Sequence, residues 1–188
     1  MYDESKQKHY TQAQWGMETA DKWCPGEVDV SIRPGWFYHH REDHQVRSVA
    51  NLVNIYYESV GRNANLLLNC PINLEGKISA TDSARLIAWH DHLQKAFRHN
   101  KLRKASVHTN DSRTGKTFRT CHINDGNPDT YWAAKDGTTT ATLTFTLPKE
   151  ELINNIALQE HIALGQRVRS FRLEVAGSKG DFHPIETR

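Results

Sequence analysis

The sequence predicts a chain of two halves, an α/β half over residues 1–100 followed by an all-β half over residues 101–188. In the first half, segments with the two-residue alternation of a strand precede segments with the three-and-four spacing of a helix. In the second half, threonines alternate with apolar residues and no long helical pattern occurs. Strands and helices in alternation are typical of a parallel sheet or a barrel.

Two segments of the first half are predicted to be strands. Apolar and polar residues alternate over 28–32, and Pro34 with Gly35 ends this pattern. The second segment, 65–69, has three leucines between two asparagines. A short, continuous apolar run of this kind predicts a strand that is buried on both faces.

Each of these strands is followed by a predicted helix. Apolar residues recur at helical spacing over 46–60, which predicts an amphipathic helix. A second helix is predicted from Thr81 or Asp82 to Phe97. Ser79 and Asp82 have the spacing of a capping box, which marks the start of a helix.

The second half is predicted to consist of strands. The clearest pattern is the alternation of threonine with apolar residues over 141–147, and 155–158 and 170–175 are further candidates. The basic stretch over 95–104 lies where the halves join, and we interpret it as the cationic end of a helix rather than a nucleic-acid surface.

Composition excludes several classes of protein. The net charge is +2, which gives no general attraction to nucleic acid or membranes. No apolar run approaches the roughly 20 residues of a membrane-spanning helix, and the polar start of the sequence shows no signal peptide. Three cysteines, far apart and odd in number, are predicted to be free buried thiols: Cys24, Cys70 and Cys121.

The first predicted strand carries the candidate site residues. Glu27 and Asp29 share one side of the strand, Ser31 and Arg33 continue that side, and an aromatic run begins at Trp36. Carboxylates beside a flat aromatic ring suit a sugar, because they accept hydrogen bonds from hydroxyl groups while the ring packs on C–H groups. The alternative is structural: a buried ion pair between Glu27 and Arg33, with the aromatic residues in the core.

Two long motifs carry a resemblance to a known family. WCPGEVDVSIRPGWFYHHRED and, after it, SVGRNANLLLNCPINLEGKI resemble the closing part of the catalytic domain of α-L-fucosidases, glycoside hydrolase family 29. The resemblance covers roughly residues 15–98. It implies hydrolysis of terminal α-L-fucose with retention, by an Asp nucleophile and a Glu acid/base about 5 Å apart.

The resemblance assigns roles to four residues. Glu27 is expected to be a catalytic acid/base or a carboxylate that binds a sugar hydroxyl. Asp29 and Arg33 are expected to orient Glu27 or to fix the substrate pocket, and Trp36 to form one of its walls. The family's nucleophile lies on an earlier strand, and no residue of this chain matches it.

The second half resembles the discoidin-like, factor V/VIII C-type carbohydrate-binding module. The matching segments are INDGNPDTYW, NIALQE and GQRV. In that family the first of these commonly helps to hold a structural calcium ion, so Asp125 and Thr130 are expected to be oxygen ligands. The alternative is a turn without metal, capped by Asp125 and Asn127.

The resemblance also gives a meaning to the length of 188 residues. A (β/α)8 TIM-like barrel takes about 250 residues. We therefore expect the last strand–helix units of a barrel, followed by an incomplete β-sandwich, in a fragment that is inactive alone. The alternative is a non-catalytic carbohydrate-binding or scaffold fragment. Fucosylated glycans are the expected partners, no cofactor is expected for catalysis, and the family implies a secreted or periplasmic location.

Overall fold

The structure is a computed structural model, and it describes residues 17, 19–20, 22–177 and 180–186. The strands and helices are β1 (Glu27–Ser31), α1 (Val49–Glu58), β2 (Asn65–Asn69), α2 (Ala80–Phe97), β3 (Ser106–His108), β4 (Thr144–Thr146), β5 (Glu174–Ala176) and β6 (Phe182–Pro184). Short 3-10 turns occur at His40–Gln45, Val60–Arg62, Lys101–Lys104, Lys116–Phe118, Thr120–Ile123 and Ile162–Leu164. Among these residues, the strands form three two-stranded sheets.

The first sheet is parallel, as the alternation of strands and helices predicts. In its register, Glu27 lies opposite Asn65 and Ser31 lies opposite Asn69. Both strands therefore end at the same edge of the sheet. The α/β order of the first half is confirmed, with α1 in the connection between the strands and α2 after the second one.

A small core lies between this sheet and the helices. Ile32, Val46 and Leu52 are its buried residues, with 0%, 7% and 1% of their surface exposed. The side chains packed against them come from β2 and α2 and from the segment between those elements: Leu68, Cys70, Leu86 and Trp89. Because side chains alternate along a strand, the opposite face of the sheet is the polar one, and it carries Glu27 and Asp29.

The prediction that β2 is buried on both faces is wrong. Leu67 is 53% exposed, whereas Leu68 packs on the core. In the described part of the chain, helices cover only one face of this sheet, and β2 pairs only with β1. A continuous apolar run therefore shows that a strand could be buried on both faces. Whether both faces are buried depends on the elements that pack against the sheet.

Both helices begin at a serine cap. The Ser48 hydroxyl accepts a hydrogen bond from the backbone N–H of Asn51 at 3.1 Å, and Ser79 accepts one from Asp82 at 3.2 Å. These bonds satisfy N–H groups that have no partner within the helix. The cap predicted at Ser79 is confirmed, and the first helix is shorter than predicted because its cap lies at Ser48.

The second half contains less strand than predicted. β3 pairs with β4 and β5 pairs with β6, each in antiparallel fashion. Only Thr144–Thr146 of the 141–147 pattern is strand, 155–158 contains none, and 170–175 contributes only the start of β5. A strand requires a hydrogen-bonded neighbour, which an alternating pattern does not report. The described residues form neither a full barrel nor a full β-sandwich.

The cysteines and the join between the halves complete the fold. All three cysteines are free, as predicted, but Cys24 and Cys121 are exposed rather than buried, and Cys70 is half-buried. Burial raises the pKa of the Cys70 thiol.

The halves touch where the Tyr57 hydroxyl donates to Asn155 Oδ1 at 2.9 Å. No helix in the described ranges is both long and apolar enough to cross a membrane.

Candidate functional site

A loop at the carboxyl end of the parallel sheet presents the candidate aromatic wall. Trp36 is 51% exposed, although its backbone carbonyl accepts a hydrogen bond. Asn69, the last residue of β2, donates through Nδ2 to the Trp36 carbonyl at 3.1 Å and to Ser31 Oγ at 3.0 Å. Ser31 Oγ in turn donates to the Gly35 carbonyl at 2.7 Å. The backbone of the loop is therefore hydrogen-bonded to the ends of β1 and β2, while the Trp36 side chain is exposed.

A buried arginine anchors the same loop from below. Arg33 Nε donates to Asp82 Oδ2 at 2.9 Å, and one terminal nitrogen donates to Asp43 Oδ1 at 2.7 Å. Further hydrogen bonds reach the Ser79 hydroxyl at 3.0 Å and the His39 carbonyl at 3.2 Å. The guanidinium therefore joins the end of β1 to the start of α2 and to the 3-10 turn at His40–Gln45.

The charges in this cluster shift one another's ionisation. Burial disfavours the charged form of Arg33, but hydrogen bonds and the charges of Asp82 and Asp43 outweigh it and raise the pKa of Arg33. The hydrogen bond from Arg33 lowers the pKa of Asp43 below its usual value. Both groups are therefore charged at neutral pH, and the cluster is an ion-pair network.

The structural alternative for the aromatic segment is wrong. The carboxylates that pair with Arg33 are Asp43 and Asp82. Glu27 is exposed, and so are Trp36 and Phe37, the latter by 78%. The side chain of Arg33 is 0% exposed and pairs with Asp43 and Asp82 rather than with Glu27. Its position suits the predicted role of fixing the pocket and does not favour the predicted role of orienting Glu27.

The two predicted carboxylates lie away from the aromatic loop. Glu27 begins β1, and Asp29 is in the middle of the strand, both on the polar face of the sheet. A strand rises about 3.3 Å per residue, so Glu27 lies roughly 13 Å along the strand from Ser31. In barrels, active sites lie at the carboxyl ends of the strands. The structure does not bring Glu27 and Trp36 together, so the catalytic role of Glu27 stays a prediction that its position does not favour.

The second predicted site is a compact turn around Asp125. Asp125 Oδ2 accepts a hydrogen bond from Thr130 Oγ1 at 2.7 Å and lies 3.1 Å from His122 Nδ1, while Oδ1 accepts one from the backbone of Asn127 at 2.9 Å. The Asn127 side chain caps the following residues of the turn, because its Oδ1 accepts a hydrogen bond from the backbone N–H of Asp129 at 3.0 Å. The capped turn of the alternative interpretation is therefore present.

The Asp125 turn provides the oxygen atoms that calcium prefers as ligands, but few negatively charged groups. The Asp125 carboxylate, the Thr130 hydroxyl and the Asn127 carbonyl are oxygen donors that lie close together, and calcium takes six to eight oxygens. In the part of the chain that the structure describes, no group of three or more His, Cys, Asp and Glu residues could hold a metal ion. Calcium at Asp125 and Thr130 stays a prediction.

We expect the Asp125 turn to contribute a pH-dependent part of the stability. The hydrogen bond from Thr130, then those from Asn127 and His122, lower the pKa of Asp125 from 3.8 to about 2. Because the folded-state pKa is depressed, this stabilisation is present above pH 3.8 and is lost as the pH falls toward 2. The melting temperatures of wild type and Asp125→Asn should differ above pH 4 and converge as the pH falls to about 2. A difference that stays constant down to pH 2 would contradict this assignment.

Comparison with known families matches both halves of this structure. The family model described as alpha-L-fucosidase matches residues 2–97, which are 96 of the 188 residues, and the F5/8 type C domain model matches residues 104–187. The first half therefore carries the catalytic-domain signature of a glycoside hydrolase. The chain belongs to the α-L-fucosidase family.

Individual relatives agree with this assignment. The chain is 38% identical over 156 residues to a putative alpha-L-fucosidase 1 of Oryza sativa subsp. japonica, which covers 81% of this chain and 30% of that protein. It is 41% identical to a putative alpha-L-fucosidase structure from Bacteroides thetaiotaomicron, with a TM-score of 0.68 over 77% of this chain and 31% of that one. A Ruminococcus gnavus GH29 fucosidase in complex with fucose is 28% identical, with a TM-score of 0.77 over 91% and 34%. The chain thus spans about a third of the length of these relatives.

Proposed function

We propose that this chain supplies the closing strand–helix units of the barrel of a retaining exo-α-L-fucosidase, together with part of a discoidin-like module. The observation that carries this proposal is the exposed Trp36 on a fixed loop at the carboxyl end of the parallel sheet, within the segment that the fucosidase family model matches. Support comes from the Ruminococcus gnavus relative, whose structure contains fucose. The substrates are then glycans with terminal α-L-fucose.

Within this proposal the residues have distinct roles. Trp36 packs its indole against the apolar face of the fucose ring. Arg33 fixes the pocket through its ion pairs. Asp29 and Glu27 lie on the polar face of the sheet, where each can accept a hydrogen bond from a hydroxyl group. Glu27 keeps its two proposed roles, acid/base or hydroxyl-binding carboxylate.

This chain alone is proposed to be inactive. Retention requires two carboxylates about 5 Å apart. In the described part of the chain, the residues that end the two parallel strands are Ser31 and Asn69, which are not acidic. The second candidate function is carbohydrate binding without catalysis, which the F5/8 type C match over residues 104–187 favours.

An assay and a titration separate these functions. We expect the purified chain to release no product from a chromogenic α-L-fucoside and to bind fucose in a way that depends on Trp36. Trp36→Ala should weaken the binding about tenfold, since an aromatic face contributes about 1.5 kcal/mol. Trp23→Ala is the matched control, because Trp23 is 49% exposed but precedes β1.

Three results would change the proposal. Turnover by the chain would show that the nucleophile is present here. Equal effects of the Trp36 and Trp23 substitutions would remove Trp36 from the sugar site. Fucose binding that survives Trp36→Ala unchanged would favour the carbohydrate-binding function of the second half.

A structural calcium ion in the Asp125 turn is a separate proposal. The ion would be held by Asp125 and Thr130, and it would supply a fixed charge that closes the turn. Addition of calcium chloride should raise the melting temperature of the wild type, and Asp125→Asn should abolish that rise. An equal melting temperature in calcium and in EDTA would refute it. A secreted or periplasmic location is likewise proposed, on the family resemblance alone.

A further inference from the structure

Hydrogen bonds to two backbone carbonyls hold the loop that carries Trp36. The Gly35 carbonyl accepts from Ser31 Oγ at 2.7 Å, and the Trp36 carbonyl accepts from Asn69 Nδ2 at 3.1 Å. Asn69 belongs to the neighbouring strand, 33 residues further along the chain. The backbone of Trp36, from which the indole projects, is therefore fixed by a residue that is distant in the sequence.

Asn69 has the chemistry that this arrangement requires. Its amide nitrogen carries two hydrogens, and it makes two hydrogen bonds, one to the Trp36 carbonyl and one to Ser31 Oγ at 3.0 Å. A carbonyl oxygen can only accept, so the nitrogen of the amide must face Trp36. The bond to Ser31 Oγ leaves the hydroxyl hydrogen directed at Gly35. Asn69 thus holds the Trp36 carbonyl directly and the Gly35 carbonyl through the Ser31 hydroxyl.

Asn69 also lies outside the hydrophobic core. It alternates with Leu68, which packs on the core, so its side chain is on the polar face with Ser31. Loss of its amide therefore removes hydrogen bonds to the loop without removing apolar packing. Arg33 differs from Asn69 in this respect, because its ion pairs join several elements of the fold.

We propose that Asn69 is a positioning residue for the sugar site: it fixes the Trp36 indole where the fucose ring is bound. The inference rests on the proposed function for the sugar contact, while the position of the indole can be measured without any ligand. A leucine at position 69 has nearly the same size but neither amide hydrogen. Asn69→Leu should therefore release the loop and leave the sheet paired.

The test uses the full chain labelled with 5-fluorotryptophan and observed by fluorine NMR. The five tryptophans give five resonances, and Trp36→Phe identifies the one from Trp36. Asn69→Leu should move or broaden the Trp36 resonance and leave the others in place. Asn65→Leu is the matched control, since Asn65 is exposed on the same face of the same strand and should leave all five resonances unchanged.

A fucose titration of the same samples gives the second readout. Fucose should move the Trp36 resonance of the wild type and of Asn65→Leu, and Asn69→Leu should weaken this response about tenfold. If Asn69→Leu changes Trp36 but the wild type does not respond to fucose, Asn69 does position the indole and the proposed sugar contact fails.

Two outcomes would overturn the proposal. The first is an unchanged Trp36 resonance in Asn69→Leu. The second is a change of all five resonances both in Asn69→Leu and in the milder Asn69→Ser, because Asn69 would then stabilise the whole fold rather than the loop. A change confined to Trp36 in Asn69→Ser would support the proposal even if Asn69→Leu does not fold.

Discussion

Asp82→Ala should lower the free energy of unfolding by about 3 kcal/mol. The substitution leaves the buried Arg33 charge without the carboxylate that its Nε contacts at 2.9 Å, and breaking such a buried pair from one side costs about 3–5 kcal/mol. We expect the lower end of that range because Asp43 still pairs with Arg33. Urea unfolding followed by circular dichroism measures the loss.

Two further variants make this result specific. Asp91→Ala lies on the exposed side of the same helix and should change the free energy by less than about 0.5 kcal/mol. The double variant Arg33→Met with Asp82→Ala should cost less than the sum of the two single substitutions, because no unpaired charge is then left beside α2. Strict additivity would show that the two groups are not coupled.

Gly126→Ala should cost about 2 kcal/mol. Gly126 has φ of +69°, a left-handed conformation in which a side chain costs roughly 1–2 kcal/mol. A Cβ atom there would also lie 3.0 Å from Arg103 Cζ and overlap one of the terminal nitrogens of the guanidinium. The Arg103 side chain must therefore move, and because it is exposed and flexible this adds only a small cost to the backbone strain. Thermal unfolding of the variant measures the sum.

Gly137→Ala separates these two contributions. Gly137 also has positive φ, +79°, but nothing lies within 4 Å of its Cβ position. It should therefore show the backbone cost alone. Arg103→Ala in the Gly126→Ala background should recover the remaining difference. If Gly126→Ala costs no more than Gly137→Ala, the contact with Arg103 has no energetic weight.

Local patterns predicted the elements whose causes are local. The alternation over 28–32, the run over 65–69 and the serine cap at Ser79 each depend on neighbouring residues, and β1, β2 and α2 occur where these patterns predict them. The strand predicted over 155–158 is absent, because a strand requires a hydrogen-bonded neighbour and a local pattern does not report one.

The candidate site was predicted less well, because its contacts join distant residues. Arg33 was among the predicted site residues, but its partners Asp43 and Asp82 lie 10 and 49 residues away and were not predicted. The capping-box pattern predicted Asp82 only as a residue at the start of a helix. In the structure its carboxylate accepts a hydrogen bond from Arg33. Asn69 was noted only as the end of the apolar run over 65–69 and as part of a family motif, and its hydrogen bond to Trp36 could be found only in three dimensions.

The hydrogen bonds to the carbonyls of residues 35, 36 and 39 have a consequence for ligand binding. Fixing the backbone of one residue costs about 1–2 kcal/mol of conformational entropy. In this loop that loss occurs when the chain folds, so a ligand that contacts Trp36 does not have to order the backbone on binding. The loop is a pre-organised surface, and its affinity for a ligand depends on how completely folding has already restricted it.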